Sequence, residues 1–174
     1  MIKIFIAETE SKITSDSFIE FLADNYLGIK HEKLTIGRNE YGKPVLVNFP
    51  DIHYNISHTK GLIACAISDS CVGIDIERIR PFNKRIPERF FTRNELEYVY
   101  IEKEEQDIRF YEIWTQKEAY VKWLGKGMAV PFESFNVFDD KRIYAVHFDG
   151  FVVSICSEAI HEIKADEFIK IALQ

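Results

Sequence analysis

The chain has 174 residues, 47% hydrophobic and 29% charged, which suits one domain or two small halves sharing a core and excludes wholesale disorder. A net charge of −6 argues against a broad footprint for nucleic acid, and no apolar run nears the roughly 18 residues of a membrane span. Cys65, Cys71 and Cys156 include no Cys-x-x-Cys pair and read as small buried thiols in a reducing compartment, so a soluble cytoplasmic domain is expected.

Ile2, Ile4 and Ile6 alternate with Lys3 and Phe5, which predicts a first strand rather than a signal peptide. Ser15 or Asp16 is placed to cap a helix running to about Tyr26, with Phe18, Ile19 and Leu22 on its apolar stripe and Gly28 as its stop. The segment from Gly37 to Leu46 is turn-rich, and its Lys43 is held between Gly42 and Pro44. That lysine is either a phosphate contact or an ordinary turn lysine. Next, Tyr54 to Thr59 forms a polar cluster before a buried strand, Leu62 to Ile67. Ser57 and His58 are adjacent, so they do not face each other as nucleophile and base; donors to an anionic ligand are the better reading.

Cys71 to Arg80 is predicted to be the central strand, in which Asp75 and Glu77 share one face while Ile74 and Ile76 point into a core. Two carboxylates side by side against buried surface suit Mg2+ or Mn2+, or else mark an acidic strand edge. Pro81 and Pro87 break the following segment into a loop carrying Lys84, Arg85 and Arg89. Thr92 and Glu95 form a capping box, with Phe91 and Leu96 as its hydrophobic staple. The charged run Glu102 to Asp107 reads as loop. A long helix follows from about Asp107 to Leu124 and stops at Gly125. Its apolar stripe contains Phe110, Ile113, Trp114, Tyr120, Val121 and Leu124, with Glu118 and Lys122 at the stripe's edge one turn apart. Lys117 falls near the middle of the stripe and needs either a buried anion or a route to water. Phe135 to Phe138, Ile143 to Phe148, Phe151 to Cys156 and Phe168 to Leu173 are predicted strands. The order of elements suggests an α+β fold of two similar halves meeting near residues 68–72, with residues 1–70 and 71–174 as the halves.

Gly42-Lys43-Pro44, Asn55-Ile56-Ser57-His58, Gly73-Ile74-Asp75-Ile76-Glu77, Phe90-Phe91-Thr92 and Trp114-Thr115-Gln116-Lys117-Glu118-Ala119-Tyr120-Val121-Lys122 occur in that order. Together, over about residues 37–138, they resemble the phosphopantetheinyl transferases of the surfactin-synthetase-activating (Sfp) type. The resemblance implies two pseudo-symmetric α+β halves with coenzyme A bound at their interface. It implies transfer of the 4′-phosphopantetheine arm of coenzyme A to a serine of an acyl or peptidyl carrier protein, releasing adenosine 3′,5′-bisphosphate. By motif position, Asp75, Glu77 and Glu118 would hold Mg2+ and Lys122 would contact the phosphates. Lys43, Pro44, Ser57 and His58 would hold the adenine and 3′-phosphate end. Glu118 is the candidate general base, unless it is a ligand only and Glu77 or a water takes that role. For the 3′-phosphate, the candidate basic residues taken from the first 40 residues are Lys12 and Arg38. The family implies a carrier-protein partner, for which Lys84, Arg85, Arg89 and Arg93 with Phe82 and Phe90 form a candidate docking patch. A monomer is expected. A coenzyme A-binding module without transferase activity is the alternative.

Overall fold

Helix, sheet, sheet and helix stack in that order in the computed structural model, which describes residues 1–9, 13–158 and 163–172. The first sheet contains β1 (Ile2–Glu8), β4 (His53–Thr59), β5 (Leu62–Ser68) and β9 (Ile169–Ile171) in the order β4-β5-β1-β9. The second contains β6 (Val72–Arg78), β7 (Ile143–Phe148) and β8 (Phe151–Ser157) in the order β6-β8-β7. A small ribbon pairs β2 (Ile36–Arg38) with β3 (Pro44–Leu46). The architecture is α+β, as the pattern of elements suggests.

Strand alternation assigns the layers. On β1, Phe5 and Ala7 face α1 (Ser15–Leu22), whereas Ile4 and Ile6 face the second sheet. On β6, Ile74 and Ile76 join that shared core together with Val153 and Ile155 of β8. The opposite face of β8, with Val152 and Cys156, packs under α3 (Arg93–Tyr100) and α4 (Gln106–Leu124). β9 pairs in parallel with β1, so the chain's last described strand returns to the first sheet. Leu173, placed in that strand by pattern, and Lys12 lie outside the described residues.

Several local expectations change. α1 is capped by Thr14, whose Oγ1 accepts from the Ser17 amide at 3.1 Å, and it ends at Leu22 in a π turn, Ala23–Leu27. The loop expected after Pro81 contains a short helix, α2 (Arg85–Phe90). Pro87 lies in its first turn, where an amide hydrogen is not required. β6 is not central; it is the edge of its own sheet. Asp149 and Gly150 take φ of 47° and 79°, which fits the tight turn that joins β7 to β8 with Phe148 opposite Phe151.

The apolar run Phe135–Phe138 is not a strand. It contains a 3-10 turn, Val137–Asp139, because its backbone is drawn onto a buried ion pair. Lys117 and Glu95 are both fully buried, with Nζ and Oε2 2.9 Å apart. The Lys117 ammonium also donates to the carbonyls of Phe132 and Phe135 at 2.7 Å each, and lies 4.3 Å from the Phe135 ring centroid. Glu95 accepts from the Thr92 amide at 2.7 Å and the Val137 amide at 2.9 Å. The capping glutamate of α3 is therefore also the counter-ion of α4. Burial holds the Lys117 ammonium below its ordinary pKa, against the opposing pull of Glu95.

Losing one partner strands the other in a dry interior. Lys117→Met is expected to destabilise the protein by about 3–5 kcal/mol in urea unfolding, and pairing it with Glu95→Gln should recover part of that loss. A single substitution costing under about 1 kcal/mol would contradict this assignment.

Candidate active site

The edges of the two sheets meet along β4 and β6, and side chains join them. On β4, Tyr54 and Ile56 turn to the α1 layer, so Asn55, Ser57 and Thr59 turn the other way, towards β6. Asn55 Oδ1 accepts from the Ile74 amide at 2.9 Å, and Ser57 Oγ accepts from the Ile76 amide at 3.4 Å. These amides face away from β8, and polar side chains take the place of a neighbouring strand's carbonyls. Two rungs continue on side chains alone. Ser57 Oγ donates to Asp75 Oδ1 at 2.7 Å, and Thr59 Oγ1 donates to Glu77 Oε2 at 3.2 Å.

α4 crosses the other side of this seam at close range. A Cβ added to Gly73 would lie 2.0 Å from the Ala119 carbonyl oxygen and 2.4 Å from the Trp123 nitrogen. Only glycine lets the helix backbone sit so near the strand. Gly73, Asp75 and Glu77 share a face, so this contact sets α4 over the two carboxylates. Lys122 Nζ then reaches Asp75 Oδ1 at 2.7 Å and Ser57 Oγ at 3.0 Å. Glu118 lies one turn earlier on the same helix. Burial pushes its carboxyl up to about 7, helped by the charges of Asp75 and Glu77 and opposed by Lys122. Burial raises Glu77 as well, and Asp75 adds to the effect.

Among the described residues, no three His, Cys, Asp or Glu side chains stand at metal-holding separation. The residues nevertheless suit a hard divalent cation. Asp75 is 5% exposed and its Oδ2 has no hydrogen-bond partner, while Glu77 and Glu118 are both held above the ordinary carboxylate range. A cation would relieve both conditions, and carboxylate oxygens are its preferred donors.

A cleft of about 730 Å³ opens beside the cluster. Its lining includes Lys43 and Pro44, Glu118 and Lys122, and the rings of Phe90, Trp114 and Phe132. The three rings pack against one another with centroids 5.4–6.1 Å apart. Lys43 borders the cleft, but its ammonium donates to the Val72 carbonyl at 2.9 Å and the Trp123 carbonyl at 3.4 Å. Burial holds its pKa below the ordinary value. Its loop is fixed by Asn39, which accepts from the Lys43 amide at 2.9 Å and donates to the Gly125 carbonyl at 2.8 Å.

Asp75, Glu77, Glu118, Lys122 and Ser57 thus come together. His58, next to Ser57 in sequence, projects from the opposite face of β4 and is exposed. Asn55, Thr59 and Gly73 are the positioning residues that spacing alone did not reveal. The signal for Asn55 and Thr59 was their alternation with Ser57, which becomes informative only once the strand's neighbour is known.

Residues 71–170 match the model of the 4′-phosphopantetheinyl transferase superfamily. The chain is 47% identical over 149 residues to the 4′-phosphopantetheinyl transferase gsp of Aneurinibacillus migulanus, an alignment covering 75% of this chain and 61% of that protein. It is 33% identical over 126 residues to the 4′-phosphopantetheinyl transferase Sfp of Bacillus subtilis, covering 72% of this chain and 56% of that one. With HetI of Nostoc it shares 30% identity over 135 residues, covering 73% of this chain and 57% of the relative. The chain therefore spans a little over half the length of the curated relatives it matches.

The close approach at Gly73 carries a direct test. Gly73→Ala is expected to lose about 3 kcal/mol or more in urea unfolding, because the new methyl meets helix backbone that cannot rotate away. A variant within about 0.5 kcal/mol of the parent would contradict the packing of α4 on β6.

Proposed function

The chain belongs to the 4′-phosphopantetheinyl transferase superfamily, and on that premise we propose that it moves the 4′-phosphopantetheine arm of coenzyme A onto a serine of an acyl or peptidyl carrier protein. The observation that carries this reading is the cluster of Asp75, Glu77, Glu118 and Lys122 on two separate elements beside the cleft. Three carboxylates and an ammonium beside a cavity of this size suit a nucleotide pyrophosphate bound with a divalent cation. The chain acts as two halves, residues 1–70 and 71–174, with the substrate at their seam. It is a cytoplasmic monomer in this reading; among the described residues, no helix is long and apolar enough to cross a membrane.

Asp75, Glu77 and Glu118 are the residues that would hold Mg2+, or Mn2+ with the same donors. When bound, the ion neutralises charge on the pyrophosphate and its leaving phosphate. Lys122 places its ammonium against the phosphates where negative charge builds up. Glu118 takes the proton of the carrier serine hydroxyl as the serine oxygen bonds to the phosphorus bearing the arm. The bond from that phosphorus to the bridging oxygen breaks, and adenosine 3′,5′-bisphosphate leaves with the electron pair. Glu118 suits the base role better than Glu77, because it borders the cleft whereas Glu77 is tied to Thr59. Pro44 and His58, with the Lys43 loop, belong to the adenine and 3′-phosphate end, where Lys43 acts through the backbone it pins. Ser57, which the resemblance would also place there, acts instead at the pyrophosphate end through Lys122 and Asp75.

Incubation with coenzyme A, Mg2+ and an apo carrier protein, followed by mass spectrometry of the carrier, tests the reading. The carrier should gain one phosphopantetheine, and chelating the metal should abolish the gain. Asp75→Ala and Glu118→Ala should each lower transfer by at least about a hundredfold while thermal unfolding shows a retained fold. Coenzyme A binding without transfer by the parent protein would instead favour a binding module.

Exposed Arg85 and Arg89 on α2, with Lys84 just before it and Arg93 at the start of α3, support a docking role for this patch, and Arg89 also lines the cleft. Phe82 is stacked on Phe110 at 4.3 Å and serves the core more than the surface. Arg85→Glu should raise KM for the carrier several-fold and leave KM for coenzyme A unchanged. Unaltered carrier kinetics would remove α2 from the interface.

A further inference from the structure

The face of the second sheet that lies under α4 carries Val152, Ser154 and Cys156 on β8, and Ser154 stands directly opposite Asp75 on β6. Ser154 and Thr115 are both fully buried, and neither lines the cleft. Their hydroxyl oxygens lie 2.7 Å apart. Thr115 gives its own hydrogen to the Tyr111 carbonyl, one turn back at 2.7 Å, so Ser154 is the donor of the pair. No step of the transfer uses either hydroxyl. Packing alone does not call for them. Val152 and Cys156 flank Ser154 on the strand, Ala119 follows Thr115 one turn on, and an apolar pair here would bury no oxygen. What a hydroxyl pair adds is direction. Apolar contact is non-directional and tolerates a small slide, whereas a short hydrogen bond fixes one donor against one acceptor.

We propose that Thr115 and Ser154 are positioning residues for the transfer reaction, setting the register of α4 along the strands and so the place of Glu118 relative to Asp75. Thr115 lies one turn before Glu118 on α4, and Ser154 is the partner of Asp75 across the ladder. The bond therefore joins the helix that carries Glu118 and Lys122 to the strand beside the carboxylate they face. Within the placement that Gly73 and the Lys117–Glu95 pair give the helix, this bond selects one register. Glu118 must reach the proton of the carrier serine, and a misplacement of about 1 Å in a reacting group can cost about a hundredfold in rate. The inference rests on the transferase reading and adds to it two residues that touch neither the ligand nor the reacting atoms.

Thr115→Val and Ser154→Ala each remove the bond while nearly preserving shape. Each should lower kcat for phosphopantetheine transfer about tenfold, with KM for coenzyme A within about twofold of the parent. Thr115→Ser keeps the hydroxyl and should hold kcat within about twofold of the parent. Because the two substitutions break one bond, the double variant should lie within about twofold of the slower single variant, and losses that multiply would overturn the proposal. Val152→Ala, on the same strand face, is the control for a merely structural role. It should lower the thermal unfolding midpoint, yet leave kcat within about twofold of the parent when assayed well below that midpoint. A kcat loss in Val152→Ala equal to that in Ser154→Ala, or parent-like kcat in both single variants, would overturn the proposal. Ser154→Cys, which fills the same space but donates weakly, covers the case in which the other variants do not fold. Its kcat should fall at least about threefold, and a parent-like value would equally overturn the proposal. Parent protein without transfer activity would sink the transferase reading and this inference together, whereas parent-like transfer by the variants sinks this inference alone.

Discussion

Two sheet edges are closed against each other by side chains, and the rest of the site depends on that join. An exposed strand edge would leave the amides of Ile74 and Ile76 bare beside a cleft. A backbone partner would satisfy them, but it would bring no chemistry. Asn55 and Ser57 satisfy them with groups that have valences to spare. Ser57 uses its remaining capacity to fix Asp75 and Lys122. The same few atoms thus hold the sheets together and aim the functional groups, which is how a chain of this size builds a polar site without a large supporting shell.

The opposite wall is supplied by α4, whose placement has two independent causes. Gly73 allows the helix backbone to descend onto β6. The Lys117–Glu95 pair ties the other flank of the helix to the start of α3 and to the segment after Pro131. Between these anchors, Glu118 and Lys122 have little freedom to move relative to Asp75. The cost of crowding the carboxylates appears in the raised pKa values of Glu77 and Glu118 and in the unpartnered Oδ2 of Asp75. A stable scaffold around a site that favours a bound cation is the expected division of labour between structure and function.

Much of this was legible in the sequence where a short-range period carried it. The i, i+2 spacing put Asp75 and Glu77 on one face, and the i, i+4 spacing put Glu118 beside Lys122. The need for an anion near Lys117 was legible too, but the anion was not. Glu95 announces itself as a helix cap, and nothing local says that the helix it caps packs on α4. Phe135–Phe138 misled because an apolar run shows hydrophobicity without showing where its backbone bonds go. Asn55 and Thr59 looked like ordinary polar strand residues, and their role follows from a neighbour fixed only by topology. Lys43 resembled a solvated turn lysine or a phosphate contact, whereas its ammonium is occupied by two carbonyls on different elements.

Amide hydrogen exchange at Ile74 and Ile76, resolved by residue, tests the join between β4 and β6 most directly. Both lie on the outer edge of a three-stranded sheet, where free amides would exchange quickly. Strong protection is expected at both positions in the parent protein, with Ile76 losing far more protection than Ile74 in Ser57→Ala. Exchange at both positions as fast as at exposed amides would contradict the claim that side chains of β4 close the edge of β6 and hold the site in place.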